Sequence, residues 1–171
     1  MFSRRKLLFS APLLMLASAC SRQGQTTAQY ISADSRFDDS EWRRLTPAEW
    51  RARLDSDLAY QVLREEATER PFTSPLNDEK REGTFVCAGC DLPLFDSKTK
   101  YDSGTGWPSF YDVIAGAIGT KEDNRLWMTR TEYHCARCLG HQGHVFADGP
   151  APTGLRYCNN GVALKFIPAA A

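Results

Sequence analysis

The chain has 171 residues, 42% apolar and 25% charged, with 21 Lys and Arg balancing 21 Asp and Glu. That length suits one domain with appendages rather than two, and the composition predicts a packed core. The even charge balance argues against the basic face that a nucleic-acid partner needs.

Residues 1–20 read as an export signal. Arg4, Arg5 and Lys6 precede a short apolar run from Leu7 to Leu16, and Ala17, Ser18 and Ala19 lead into Cys20. The run is too short for an ordinary membrane-spanning helix, and the start resembles a twin-arginine signal. "LASAC" resembles a bacterial lipobox with Cys20 lipidated, although Ala17 stands where a large aliphatic residue is usual. Ordinary cleavage with an incidental cysteine is the alternative. The expected location is the periplasm, free or anchored as a lipoprotein facing the periplasm or outer surface, with membrane contact through that anchor alone. Losing Arg4, Arg5 and Lys6 with the leader makes the mature chain net acidic. Residues 21–40 are polar and aperiodic and read as a flexible tether, leaving 41–168 as the folded domain.

Thr46, Pro47 and Glu49 predict a capped helix start, with Trp50 and Leu54 on its buried face. A second helix is expected between Asp55 or Ser56 and Pro71, burying Leu58, Val62 and Leu63. After Gly83 short β-forming runs at 84–87, 127–135, 144–146 and 162–166 are separated by Gly, Pro and Asp turns. The fold class expected is mainly β and antiparallel, with a helical N-terminal flank.

Two C-x-x-C pairs stand out: Cys87 with Cys90, and Cys135 with Cys138. Together they supply the four thiolates of a tetrahedral zinc site with no open position, hence a structural one. The 44 residues between the pairs require an inserted sub-structure. Disulfides, given an oxidising compartment, and a redox pair are the competing readings.

With Cys20 in the leader and four cysteines at the metal, Cys158 in "LRYCNNGVALKF" is left over. A lone thiol can be a small buried hydrophobe. Here Arg156, two residues away on the same side of a strand, would favour the thiolate, and Asn160 could donate a hydrogen bond. His141 and His144 suit proton donation near neutral pH, with metal ligation or a core role as alternatives. In "YDSGTGWPSFYD" the glycines and Pro108 make a rigid loop that would hold Trp107 as a core cap or as a wall of an apolar pocket with Phe110 or Phe146.

In their order, "TERPFTSPL", the two C-x-x-C pairs, "LPLFDSKTKYDSGTGWPSF", "HQGHVFADGPAPTG" and "RYCNN" resemble the B-type methionine sulfoxide reductases, from about Trp42 to Phe166. That resemblance implies two small antiparallel sheets with helices outside and a structural zinc clip, no organic cofactor, and a monomer. It implies reduction of the R epimer of methionine sulfoxide in oxidised proteins, with a thioredoxin-like or other thiol as reductant. Cys158 would be the nucleophile, passing through a sulfenic acid. His141 and His144 would orient and protonate the sulfoxide oxygen, Trp107 would receive the substrate methyl, and Asn160 and Arg156 would assist. Three positions depart from the pattern. Thr105 stands where many members carry a resolving cysteine, which implies a one-cysteine variant. Gln142 replaces a usual leucine, and Gly161 a common serine, which is expected to loosen the chain after the nucleophile. Two other classes remain: a non-catalytic zinc-clipped binding module and a stoichiometric thiol sensor.

Overall fold

A computed structural model describes residues 35–125 and 128–170. The leader, Cys20 and most of the tether lie outside the described residues. The tether's last residues belong to the folded body: Ser35–Phe37 form a 3-10 turn, Phe37 packs against the core, and Asp38 pairs with Arg43 at 2.9 Å.

Helix α1 (Pro47–Arg53) starts on a reciprocal capping box between Thr46 and Glu49. Helix α2 (Asp57–Glu65) is capped by Ser56, whose hydroxyl accepts from the Ala59 N–H at 3.1 Å. It ends well short of Pro71. Glu66 turns left-handed at φ 56 and its carboxylate pairs with Lys121 and Arg125, so tertiary ion pairs override the helix preference of the following residues. The buried stripe is Ala59, Tyr60, Val62 and Leu63. Leu58 falls at its edge, 39% exposed.

Nine strands are described: β1 (Gly83–Cys87), β2 (Pro93–Asp96), β3 (Lys100–Tyr101), β4 (Ser109–Phe110), β5 (Ile118–Asp123), β6 (Arg130–Cys135), β7 (His141–Phe146), β8 (Arg156–Asn159) and β9 (Leu164–Pro168). They form two antiparallel sheets, ordered β2-β1-β9 and β3-β4-β8-β7-β6-β5. The strand expected from 127 begins at Arg130. That expected from 162 begins at Leu164, because Gly161–Ala163 make a 3-10 turn.

The core joins the sheets through aromatic rings. Phe95 of the small sheet stacks on Phe110 of the large one at 4.0 Å, Phe85 meets Phe110 edge-on, and Tyr133 and Tyr157 cross at 5.5 Å. Such pairs add about 1 kcal/mol each beyond the burial of their area. With one face of the large sheet committed to this core, the other is left for chemistry.

Candidate active site

The C-x-x-C pairs converge as the sequence requires. Each forms the same knuckle: the residue after the second cysteine is left-handed (Asp91 φ 58, Leu139 φ 59), and its N–H donates to the first cysteine's carbonyl at 2.8 and 2.9 Å. All four sulfurs are buried and lie within 4.8 Å of one another. The Cys87–Cys138 and Cys90–Cys135 separations are 3.6 and 3.5 Å, far beyond a disulfide bond of about 2.05 Å. They approach the edge of a tetrahedron around a metal with bonds of about 2.3 Å to sulfur. Donors face the sulfurs too: Gly140 N–H to Cys138 at 3.4 Å and Gln142 Nε2 to Cys87 at 3.4 Å. The four residues could therefore hold a metal ion. Arg43, Arg53 and Arg64 donate to the knuckle carbonyls of Ala136, Gly89 and Cys138, fastening the N-terminal segment over this site, and Arg137, inside the second knuckle, donates to the Cys90 carbonyl of the first.

The second constellation lies on the free face of the large sheet. Cys158 on β8 is flanked directly by Ser109 on β4 and His144 on β7, and cross-strand partners share a face. His141, three residues before His144, ought to point the other way. A β-bulge corrects this: Tyr133 pairs with Gly143 but His134 with His141, so Gln142 is an extra residue and both histidines face the same side. Their rings are 5.6 Å apart. The tight packing of β7 on β8 requires Gly143, since a Cβ there would lie 1.9 Å from the Cys158 carbonyl oxygen.

Each histidine is held by its own carboxylate. His144 Nε2 lies 2.8 Å from Asp123 Oδ2, and His141 Nδ1 lies 2.7 Å from Glu132 Oε1. Asp123 also accepts from Arg130 at 2.6 Å and from Arg125, and these bonds, His144's the largest, keep its carboxyl well below the carboxylate range. Burial pushes the Glu132 carboxyl up, but bonds from His134 and His141 outweigh it and bring it to about 2. Burial lowers His144's pKa despite the opposing pull of Asp123. Its imidazolium is therefore a stronger acid than an ordinary one.

A cleft of about 120 Å³ opens at Cys158, walled by Trp107, His144, Phe146 and Asn160 and also reached by Thr68 and Arg130. Trp107 is fixed by its indole N–H donating to the Glu69 carbonyl at 3.1 Å. Phe110 is not at the cleft: Ser109 pairs with Cys158, so its neighbour Phe110 turns with Tyr157 into the core and is fully buried. Asn160 is not on the strand, which ends at Asn159. Its amide is anchored at both ends, accepting from the Glu69 N–H at 3.0 Å and donating to the Gln142 carbonyl at 2.9 Å. Arg156 grips Asp148 through two bonds of 2.8 Å and packs over Phe146 at 4.3 Å.

The Cys158 thiol is pushed up by burial, which outweighs the opposing effects of Arg156 and the Thr105 hydroxyl. The sequence expectation of a thiolate favoured by Arg156 thus holds for the sign of that one contribution but not for the net shift. Arg156→Ala is expected to slow alkylation of Cys158 by iodoacetamide at pH 7 roughly three- to tenfold, with the gap closing as pH rises beyond 9. Equal rates across that range would remove Arg156 from the electrostatics of the thiol.

Gly161 does not loosen the chain after the nucleophile. A Cβ there would lie 1.9 Å from Ser74 Oγ and 3.1 Å from Glu69 Oε1, and the Glu69 carboxylate accepts from the N–H groups of Gly161 and Val162. Ser74 fills the space that a larger residue at 161 would take. Gly161→Ser is expected to cost about 1–3 kcal/mol in urea unfolding, and Ser74→Gly in the same chain to recover most of it. An additive double variant would refute the exchange.

Asp123, Glu132, Arg130, Thr68 and Glu69 were missed from the sequence. Glu132 had a signal: Arg130, Glu132 and His134 alternate with Thr131, Tyr133 and Cys135, placing three polar residues on one face. Asp123 had none, because it reaches His144 only through two strand pairings.

A cleft thiol thus faces carboxylate-held histidines on a cysteine-clipped β scaffold, an arrangement suited to thiol chemistry. The SelR domain matches residues 56–168, and the chain belongs to that family, the B-type methionine sulfoxide reductases. A protein of Pseudomonas putida (strain W619) named Peptide methionine sulfoxide reductase MsrB is 59% identical over 124 residues, covering 72% of this chain and 92% of that one. Proteins of the same name from Thiobacillus denitrificans (52% identical, 72% of this chain and 93% of the relative) and Methanosarcina barkeri (50%, 75% and 84%) are similar as well.

Proposed function

We propose that this reductase acts on methionine R-sulfoxide through Cys158, a reading carried by the pairing of Cys158 and His144 on one sheet face beside Trp107. The Cys158 sulfur attacks the sulfoxide sulfur while the oxygen takes a proton from the His144–His141 side. The S–O bond of the substrate breaks and a new one forms at Cys158. Methionine leaves reduced by two electrons, and the cysteine is oxidised by two to a sulfenic acid. Trp107 and Phe146 give the methyl group an apolar wall opposite those donors, which fixes one epimer. Asp123 and Glu132 hold the rings in position.

No other cysteine among the described residues lines the cleft, and Thr105 lies beside Cys158. Two equivalents of an external thiol, thioredoxin-like in character, would therefore return Cys158 to the thiol and release water and a disulfide. Zinc is the metal that best suits four buried cysteine sulfurs, and it would clip the knuckles without joining the reaction. We infer a monomer exported on the leader of residues 1–20 and held to the membrane by lipid on Cys20. The basic, apolar and small-residue order of that segment supports this, and the mass of the mature N-terminus tests it.

The deciding experiment supplies the purified protein with dithiothreitol and separate epimers of a blocked methionine sulfoxide. The R epimer is expected to be consumed and the S epimer to persist. Turnover of neither, by folded metal-loaded protein, would leave a binding module or a thiol sensor.

A further inference from the structure

Phe72 is the most exposed of the large apolar side chains among the described residues, at 73%. Its backbone is left-handed, φ 63, a conformation an aromatic residue adopts only at an energetic cost. An exposed ring on a strained backbone serves no folding purpose, yet the surroundings hold it firmly. The Phe72 N–H donates to the Gly106 carbonyl at 2.7 Å. Gly106 is itself left-handed at φ 91, and a Cβ there would come within 2.8 Å of Phe72 and Pro71. One residue further, Trp107 is tied back to Glu69. The segment 69–72 and the loop 106–107 are stitched together at two points, fixing Phe72 relative to the tryptophan that walls the catalytic cleft.

Beside the ring lies a second depression of about 130 Å³, lined by the rings of Phe72, Tyr101 and Trp107 and also by the polar Asn77, Asp78, Lys100 and Asp102. Trp107 borders both this depression and the catalytic cleft, and so stands between the two. A blocked amino acid bound at Cys158 has nothing to place there. A polypeptide does.

We propose that Phe72 and this depression form a subsite for an apolar or aromatic side chain flanking the oxidised methionine of a polypeptide substrate. The proposal rests on the reductase reading and deepens it. No bond changes at the subsite; its contribution is burial and ring contact, delivered by a platform rigid before the substrate arrives.

The test compares kcat/KM for three R-sulfoxide substrates: the blocked amino acid, a pentapeptide with glycine on both sides, and one with phenylalanine on both sides. Wild type should favour the phenylalanine peptide over the glycine peptide about fivefold. Phe72→Ala and Phe72→Gly should bring that ratio close to one. Phe72→Gly should keep or raise the thermal midpoint, because glycine accepts the left-handed backbone. An unchanged ratio in both variants, no preference in wild type, or a lowered midpoint in Phe72→Gly would each overturn the subsite. Failure of wild type on the blocked amino acid would strike the reductase reading instead, and is read separately from the peptide ratio.

Discussion

Cys158→Ser is expected to abolish turnover of methionine R-sulfoxide, by more than about a thousandfold, while leaving fold and metal content intact. Serine fits because Cys158 is held by backbone pairing to Ser109 and His144 rather than by its sulfur, and a hydroxyl is close in size to a thiol. The loss follows from chemistry: oxygen cannot accept the sulfoxide oxygen as sulfur does, and no second thiol among the described residues lines the cleft to take over. With reductant withheld, wild type should yield one methionine per chain and a sulfenic acid trappable by dimedone. The serine variant should yield neither. Retained turnover in Cys158→Ser would sink the assignment of the nucleophile, whatever the epimer preference.

Loss of the clip should be as severe for stability as loss of Cys158 is for activity. Cys135→Ser is expected to leave the protein unable to bind one equivalent of metal and largely unfolded at 25 °C, seen as a lost near-ultraviolet dichroism signal. Structural zinc sites contribute on the order of 10 kcal/mol, comparable with the whole stability of a domain. The geometry supports that scale. All four sulfurs are buried, and the clip joins β1 of the small sheet to β6 of the large one. A metal-free variant with unchanged dichroism and thermal midpoint would show that the arginine bonds and aromatic core suffice.

Local chemistry was legible in the sequence. The Thr46–Glu49 box, the Ser56 cap, both knuckles and the strand carrying Cys158 follow from short-range rules, and the structure places them accordingly. What escaped depended on partners distant in the chain. The polar strand β5 reads as loop until β6 pairs with it, and β3 and β4 are two residues each. Phe110 shares a loop motif with Trp107, yet strand register sends the two rings to opposite sides of the sheet. The net shift of Cys158 escaped for the same reason: Arg156 is visible two residues away, whereas burial is a property of the assembled fold.

The extra residue at Gln142 carries a consequence for change in chain length. The interval between the histidines is odd only because one strand is a residue longer than its partner requires. Deleting Gln142 would restore regular alternation with His141 still on the His144 side, two residues away across Gly143, and the loss would fall instead on Asn160, whose backbone N–H and side-chain amide both donate to the Gln142 carbonyl. One residue added or removed at 150–153, the exposed tip of the turn that Gly149 and Gly154 close, would leave both histidines in place. A change of length at the bulge is thus felt at the asparagine beside the nucleophile, and one in the turn beyond β7 at neither histidine.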